Sequence, residues 1–148
     1  MFSVPDLRRI AALAERYGVI VVSDEIHASL TLPGVRHTPF VSAGDAAAER
    51  GVTLASASKA FNIAGLKGAV AVAGSAGVQG LLKRLPAASQ YGAGLLGVLG
   101  SLAAWESGGE WLDALIVQLD HARAEFGRLL ERRLPEAGYV PPEAGYLA

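Results

Sequence analysis

The sequence predicts an α/β fold, a mostly parallel sheet followed by long helices, and three observations lead there. An amphipathic helical pattern ends at Gly18, and the β-branched run Val19-Ile20-Val21-Val22 follows at once. Helix, glycine and buried strand together make half of a βαβ unit, in which a continuous apolar run marks a strand covered on both faces. Two further short apolar runs recur, Val52-Thr53-Leu54-Ala55 and Gly68-Ala69-Val70-Ala71-Val72-Ala73, each preceded by a polar segment. Beyond Ser75 the apolar spacing becomes helical.

The elements follow in order. Ser3 supplies an N-cap and Pro5 a first-turn proline. Leu7, Ile10, Ala11, Leu13 and Ala14 then recur at helical spacing, with Arg8, Arg9, Glu15 and Arg16 opposite them. From Asp24 to Phe40 the chain is polar and carries Pro33, Gly34 and Pro39, so it reads as a long loop at a strand end. Ser42 to Arg50 reads as a short helix, 52–55 as a second buried strand, 56–67 as a second polar loop, and 68–73 as a third strand. Val78, Leu81, Leu82 and Leu85 mark a helix stopped by Pro86, and a Gly-interrupted helix runs on through Trp105. The helix from Glu110 to Leu134 carries Trp111, Leu112, Leu115, Leu119, Ala122, Phe126, Leu129 and Leu130 on one stripe, expected to be core, and Pro135 ends it. Gly138-Tyr139-Val140-Pro141-Pro142 reads as a new strand and turn.

Composition narrows the function. The 148 residues suffice for one modest domain with a core. Hydrophobic residues make up 51% and charged residues 18%, which excludes disorder. Net charge is −1 with both signs mixed along the chain, so neither a nucleic-acid footprint nor a polybasic membrane patch is present. With no cysteine, disulfides and thiolate zinc sites are excluded, which fits a cytoplasmic protein. Met1 to Asp6 lacks the basic start and apolar run of a signal peptide. The longest apolar stretch, Tyr91 to Trp105, is Gly-rich and short of the roughly 20 residues a bilayer requires. The expectation is a soluble, cytoplasmic protein without a membrane partner.

Two strand-end loops hold most of the unusual polar residues. One reads Ser23-Asp24-Glu25-Ile26-His27 and the other Ser56-Ala57-Ser58-Lys59-Ala60-Phe61-Asn62. Both should open on one edge of the sheet, bringing a carboxylate, an imidazole, two hydroxyls and an amine into a single crevice. A lysine among apolar neighbours becomes a nucleophile toward aldehydes. Serines in a tight turn offer donors to a phosphate. A carboxylate can pair with a protonated pyridine nitrogen and make the ring an electron sink. These are the three requirements of pyridoxal 5′-phosphate. His27 and His37, taken with Asp24 and Glu25, fit no standard metal spacing, so no metal is expected. Gly92-Ala93-Gly94-Leu95-Leu96-Gly97 matches a dinucleotide fingerprint in letters only, because no buried strand precedes it.

Three segments carry a resemblance: Ser-Asp-Glu-Ile-His at 23–27, His-Thr-Pro-Phe at 37–40, and Ser-Ala-Ser-Lys-Ala-Phe-Asn-Ile-Ala-Gly-Leu at 56–66. They resemble the class I/II, fold type I aminotransferase superfamily, and within it the cystathionine β-lyase branch that cleaves cysteine S-conjugates. The similarity runs to the terminal Pro-Glu-Ala-Gly-Tyr-Leu-Ala. It implies a three-layer αβα piece of a large domain over residues 1–134, interdomain helix included, with a small C-terminal domain starting at 135–148. It implies that Lys59 attaches the cofactor and later moves the substrate α-proton, and that Asp24 pairs with the pyridine nitrogen. His27, where transaminases more often show tyrosine, approaches the ring oxygen. Ser56, Ser58 and Lys67 bind the phosphate, Lys67 standing where many relatives carry arginine. It implies a homodimer acting on a small amino-acid substrate, and an enzyme more than twice this length, so that this chain alone is expected to be weakly active or inactive. The activity implied is β-elimination to a thiol, pyruvate and ammonia. Amino-group transfer to a 2-oxo acid, or a non-catalytic α/β module, are the alternatives.

Overall fold

The computed structural model describes residues 1–90 and 92–147. Tyr91, which opens the long apolar stretch, and Ala148, which closes the terminal motif, lie outside the described residues. Helix α1 (Val4–Tyr17) begins with the Ser3 side chain accepting from the Asp6 N–H and ends at Gly18, whose φ of 63° suits a residue without Cβ. Strand β1 (Val21–Asp24) starts two residues later than the β-branched run predicts. Val19 still belongs to the helix end, its N–H reaching the Ala14 carbonyl at 2.8 Å, so the chain extends only beyond it.

Strand β2 (Gly51–Ala55) pairs parallel with β1, Val21 opposite Gly51 and Asp24 opposite Leu54. Strand β3 (Val70–Ala73) pairs antiparallel with β2, Val52 opposite Ala73 and Ala55 opposite Val70. The sheet is therefore mixed, in the order β1-β2-β3. The reason lies in the connection: 56–69 holds one short 3-10 turn, Ala64–Leu66, and lacks the crossover helix that a parallel return requires. Of the three strands expected to be covered on both faces, only the central one is. Val52 is 4% exposed, whereas Val22 on β1 and Val72 on β3 are 60% and 46% exposed.

Short helix α2 (Asp45–Arg50) covers the second half of the segment expected to be helical from Ser42, and a 3-10 turn, Phe40–Ser42, precedes it. The core forms where Leu7 and Ala11 of α1 meet Phe40, Ala43 and Ala47. Burying these side chains against one another supplies the main local stabilisation. Leu30 and Leu32, in the loop after β1, are also sealed off from solvent.

The helical half comprises α3 (Ala76–Leu82), α4 (Ala87–Gln90), α5 (Leu95–Ser107) and α6 (Gly109–Arg133). The expected core stripe of α6 is not buried: no described residue of this helix is, and Trp111 and Phe126 are 49% and 40% exposed. Only a loop and the returning tail touch the stripe, through Trp111 stacked on Phe61 and Phe126 edge-on to Tyr139. The tail forms no strand at 138–142. Proline at 141 and 142 removes ladder donors, and the chain instead returns to the loop after β1. There Thr31 and Ala144 make a single bridge, Leu32 N–H donates to the Glu143 carbonyl at 3.0 Å, and Gly145 N–H donates to the Leu30 carbonyl at 2.9 Å. No helix among the described residues is long and apolar enough to cross a membrane.

Candidate active site

The segment after β2 is built to present one amine. Ala57 and Ala60, on either side of Ser58-Lys59, are fully buried and anchor the turn. Phe61 N–H closes on the Ala57 carbonyl at 3.0 Å and Ile63 N–H on the Ser58 carbonyl at 3.1 Å, coiling the backbone around Lys59. Asn62 and Lys67 hold φ of 54° and 55°, left-handed values for residues with side chains. Asparagine tolerates that conformation; lysine adopts it seldom, and such positions cluster at functional sites.

Ser56, Ser58, Lys59 and Lys67 line one cavity of about 820 Å³, which Ile26 also borders from the loop after β1. The Ser56 hydroxyl donates to the Gly68 carbonyl at 2.5 Å and accepts from the Ser58 N–H at 3.1 Å. It thereby ties the start of the loop to its end. The Ser58 hydroxyl lies 3.5 Å from the same carbonyl, a much weaker hold that leaves it available to a ligand.

Asp24 and His27 do not line that cavity. They border a second hollow of about 430 Å³ together with His37 and Phe40, so the single crevice expected from the two loops is divided. The local geometry explains the split. Asp24 Oδ1 accepts from the Ile26 N–H at 3.2 Å, an Asx turn that folds the carboxylate against its own backbone. The His27 ring leans on Tyr146 of the tail, centroid to centroid 5.6 Å. Ile26, between them, is the residue of this motif that reaches the lysine cavity.

Glu25 is the member of the site that sequence reasoning missed, having been weighed only as a metal ligand. Its side chain is 6% exposed. One carboxylate oxygen accepts from the Phe40 N–H at 2.8 Å and the Thr53 hydroxyl at 3.1 Å, and the other pairs with His37 Nε2 at 2.9 Å. Glu25 N–H in turn donates to the Leu54 carbonyl at 2.9 Å. The residue therefore bolts the motif that carries Asp24 and Ile26 to β2 on one side and to the 37–40 loop on the other. The signal was Thr53, a hydroxyl within the apolar run of β2 that needs a buried partner.

Burial by itself would push the Glu25 carboxyl up, but hydrogen bonds from Phe40, His37, Ser23 and Thr53 outweigh it and hold the group below its ordinary value of 4.5. A depressed carboxyl contributes stability that is complete above the unfolded-state value and drains away as pH falls toward the folded one. Denaturant unfolding at stepped pH should therefore show stability declining below about pH 4.5, and Glu25→Gln should flatten that decline. An unchanged slope in the variant would remove Glu25 as its source.

The family profile for aminotransferase class I and II matches residues 1–148, and the chain belongs to that family. It is 47% identical over 143 residues to a candidate cystathionine beta-lyase of Mycobacterium tuberculosis, a match covering 97% of this chain and 34% of that protein. It is 38% identical over 152 residues to the cystathionine beta-lyase PatB of Bacillus subtilis, covering 99% of this chain and 38% of PatB. Among solved structures, the pyridoxal phosphate-bound C-S lyase from Staphylococcus hominis superposes with a TM-score of 0.85 at 30% identity, over 98% of this chain and 36% of that one. The chain thus spans about a third of the length of the relatives it matches.

Proposed function

We propose that this chain carries the lysine-bearing part of a pyridoxal 5′-phosphate-dependent C–S β-lyase acting on cystathionine or cysteine S-conjugates. The observation that carries the reading is the gathering of Lys59, Ser58 and Lys67 in one cavity, in a chain related to proteins named as cystathionine beta-lyases and a C-S lyase. The donor set fits the cofactor: an amine for covalent attachment, hydroxyls and a second cation for a phosphate, and a carboxylate at the end of β1 for a pyridine nitrogen. When bound, the cofactor supplies an electron sink next to the substrate Cα.

The chain's own residues do the rest. Lys59 Nζ holds the cofactor, and once displaced by the substrate amine it takes the proton from Cα. Asp24 keeps the proton on the ring nitrogen, which preserves the sink. Lys67 acts on the phosphate as a point charge, without the bidentate grip an arginine would add. Ser58 exchanges its long contact with Gly68 for a phosphate oxygen, while Ser56 holds the loop that presents it. His27, braced by Tyr146, serves the ring oxygen. The C–S bond then breaks with its electron pair on sulfur, and water releases the remaining three-carbon unit as pyruvate and ammonia.

Residues 1–134 form part of the large domain in this reading, and 135–148 begin the small one. The whole enzyme is a cytoplasmic homodimer acting on a small amino-acid substrate. The apolar side of α5, with Leu95 and Leu96 74% and 70% exposed, supports a covered position in that assembly. Amino-group transfer would begin with the same proton abstraction, so the products decide. The complete enzyme incubated with cystathionine should release pyruvate with no 2-oxo acid present. Turnover that requires a 2-oxo acid acceptor would assign it to the aminotransferases instead.

A further inference from the structure

We propose that Gly97 of α5 is a positioning residue for Lys67. Its missing side chain lets the helix backbone lie directly on the Leu66–Gly68 turn and so sets where the Lys67 amine enters the Lys59 cavity. The proposal rests on the cofactor reading above and concerns a helix to which that reading gives no part.

Helix α5 is apolar, yet the residues it buries are Gly97 and Ser101, not its leucines. A Cβ at Gly97 would stand 2.4 Å from the Leu66 carbonyl oxygen and 3.2 Å from that of Lys67. From the other side, a Cβ at Gly68 would stand 3.0 Å from both the Gly97 carbonyl and the Ser101 hydroxyl. Two backbones are thus in mutual contact, with glycine on each face of the junction. The turn they share ends at Lys67 in the left-handed region, with its N–H on the Ala64 carbonyl at 3.2 Å. The next carbonyl, that of Gly68, receives the Ser56 hydroxyl. Whatever moves this turn therefore moves the cation and the serine latch together.

An alanine methyl at Gly97 meets backbone, which cannot rotate away as a side chain would. Restoring ordinary contact from 2.4 Å requires the turn to retreat by about 1 Å, and a shift of that size at a ligand-holding group costs on the order of a hundredfold. Gly80, in α3 with open space around its Cα, is the matched control.

The test is a double-variant comparison in the complete enzyme, reading the dissociation constant of pyridoxal phosphate by absorbance. Gly97→Ala should weaken binding by roughly tenfold to a hundredfold, and Gly80→Ala should leave it unchanged. Because Gly97 acts through Lys67, the Gly97→Ala/Lys67→Ala double variant should bind no more weakly than Lys67→Ala alone. Wild-type affinity in Gly97→Ala, or two losses that multiply in full, would overturn the proposal. If circular dichroism shows Gly97→Ala unfolded, Gly100→Ala takes its place, since its methyl would press on Leu66 Cδ1 at 2.6 Å from the same face. The same non-multiplying loss is then expected, and a multiplying one overturns the proposal. A wild-type enzyme that binds no cofactor at Lys59 would instead sink the cofactor reading, and this proposal with it.

Discussion

Lys59→Ala should abolish covalent cofactor attachment in the complete enzyme and lower kcat by on the order of 10⁴-fold or more. One side chain serves two purposes in this account, and the substitution removes both. Covalent attachment holds the cofactor in the cavity, and the amine that is later freed takes the α-proton; general base catalysis alone is worth roughly 10² to 10⁴ in rate. The anchor residues Ala57 and Ala60 are untouched by the change, and Lys59 is half-buried, so the fold should survive it. Lys59→Arg provides a sharper version, because it keeps the charge and cannot form the attachment. A Lys59→Ala enzyme with wild-type turnover, or with an unchanged spectrum in the presence of cofactor, would favour a non-catalytic α/β module.

Glu25→Ala should destabilise the protein by about 3 kcal/mol, read as a lowered midpoint in urea with unchanged slope. The magnitude follows from what is left behind. The Phe40 N–H and the Thr53 hydroxyl lose their acceptor, and His37 loses its partner, at a site that is almost sealed from water. Leaving buried donors unsatisfied costs more than the net worth of the bonds themselves. Phe40 also belongs to the core with Leu7, Ala11, Ala43 and Ala47, so releasing its backbone loosens packing as well. Glu25→Gln keeps an acceptor oxygen and should lose less than half as much. An alanine variant as stable as the wild type would show that the carboxylate network contributes nothing net.

The strand-end loops and the lysine motif were legible because their chemistry is local. A hydroxyl–hydroxyl–amine turn after a buried strand reads the same in one dimension as in three, and the structure does gather Ser56, Ser58, Lys59 and Lys67. The antiparallel return of β3 was not legible, since an apolar run of four residues carries no direction; only the missing crossover helix hinted at it. The separation of Asp24 from the lysine cavity was hidden for a similar reason. An Asx turn sends neighbouring residues to different sides, and the motif alone does not say which of Asp24, Ile26 and His27 goes where. The stripe on α6 shows a third limit: periodicity tells which face is apolar and not what covers it. Here the face is half open in a chain that spans about a third of the relatives' length. Gly97 escaped notice because its letters matched an unrelated fingerprint, while its actual role depends on a backbone contact with residues some thirty positions earlier.

The central claim is that Lys59 is the residue to which pyridoxal phosphate attaches, and borohydride reduction of the cofactor-treated complete enzyme followed by peptide mass mapping tests it most directly. The account predicts a single reduced adduct on the peptide containing Lys59, with the visible absorbance of the bound cofactor lost on reduction. An adduct on another lysine, or adducts scattered over surface lysines with Lys59 unmodified, would contradict it.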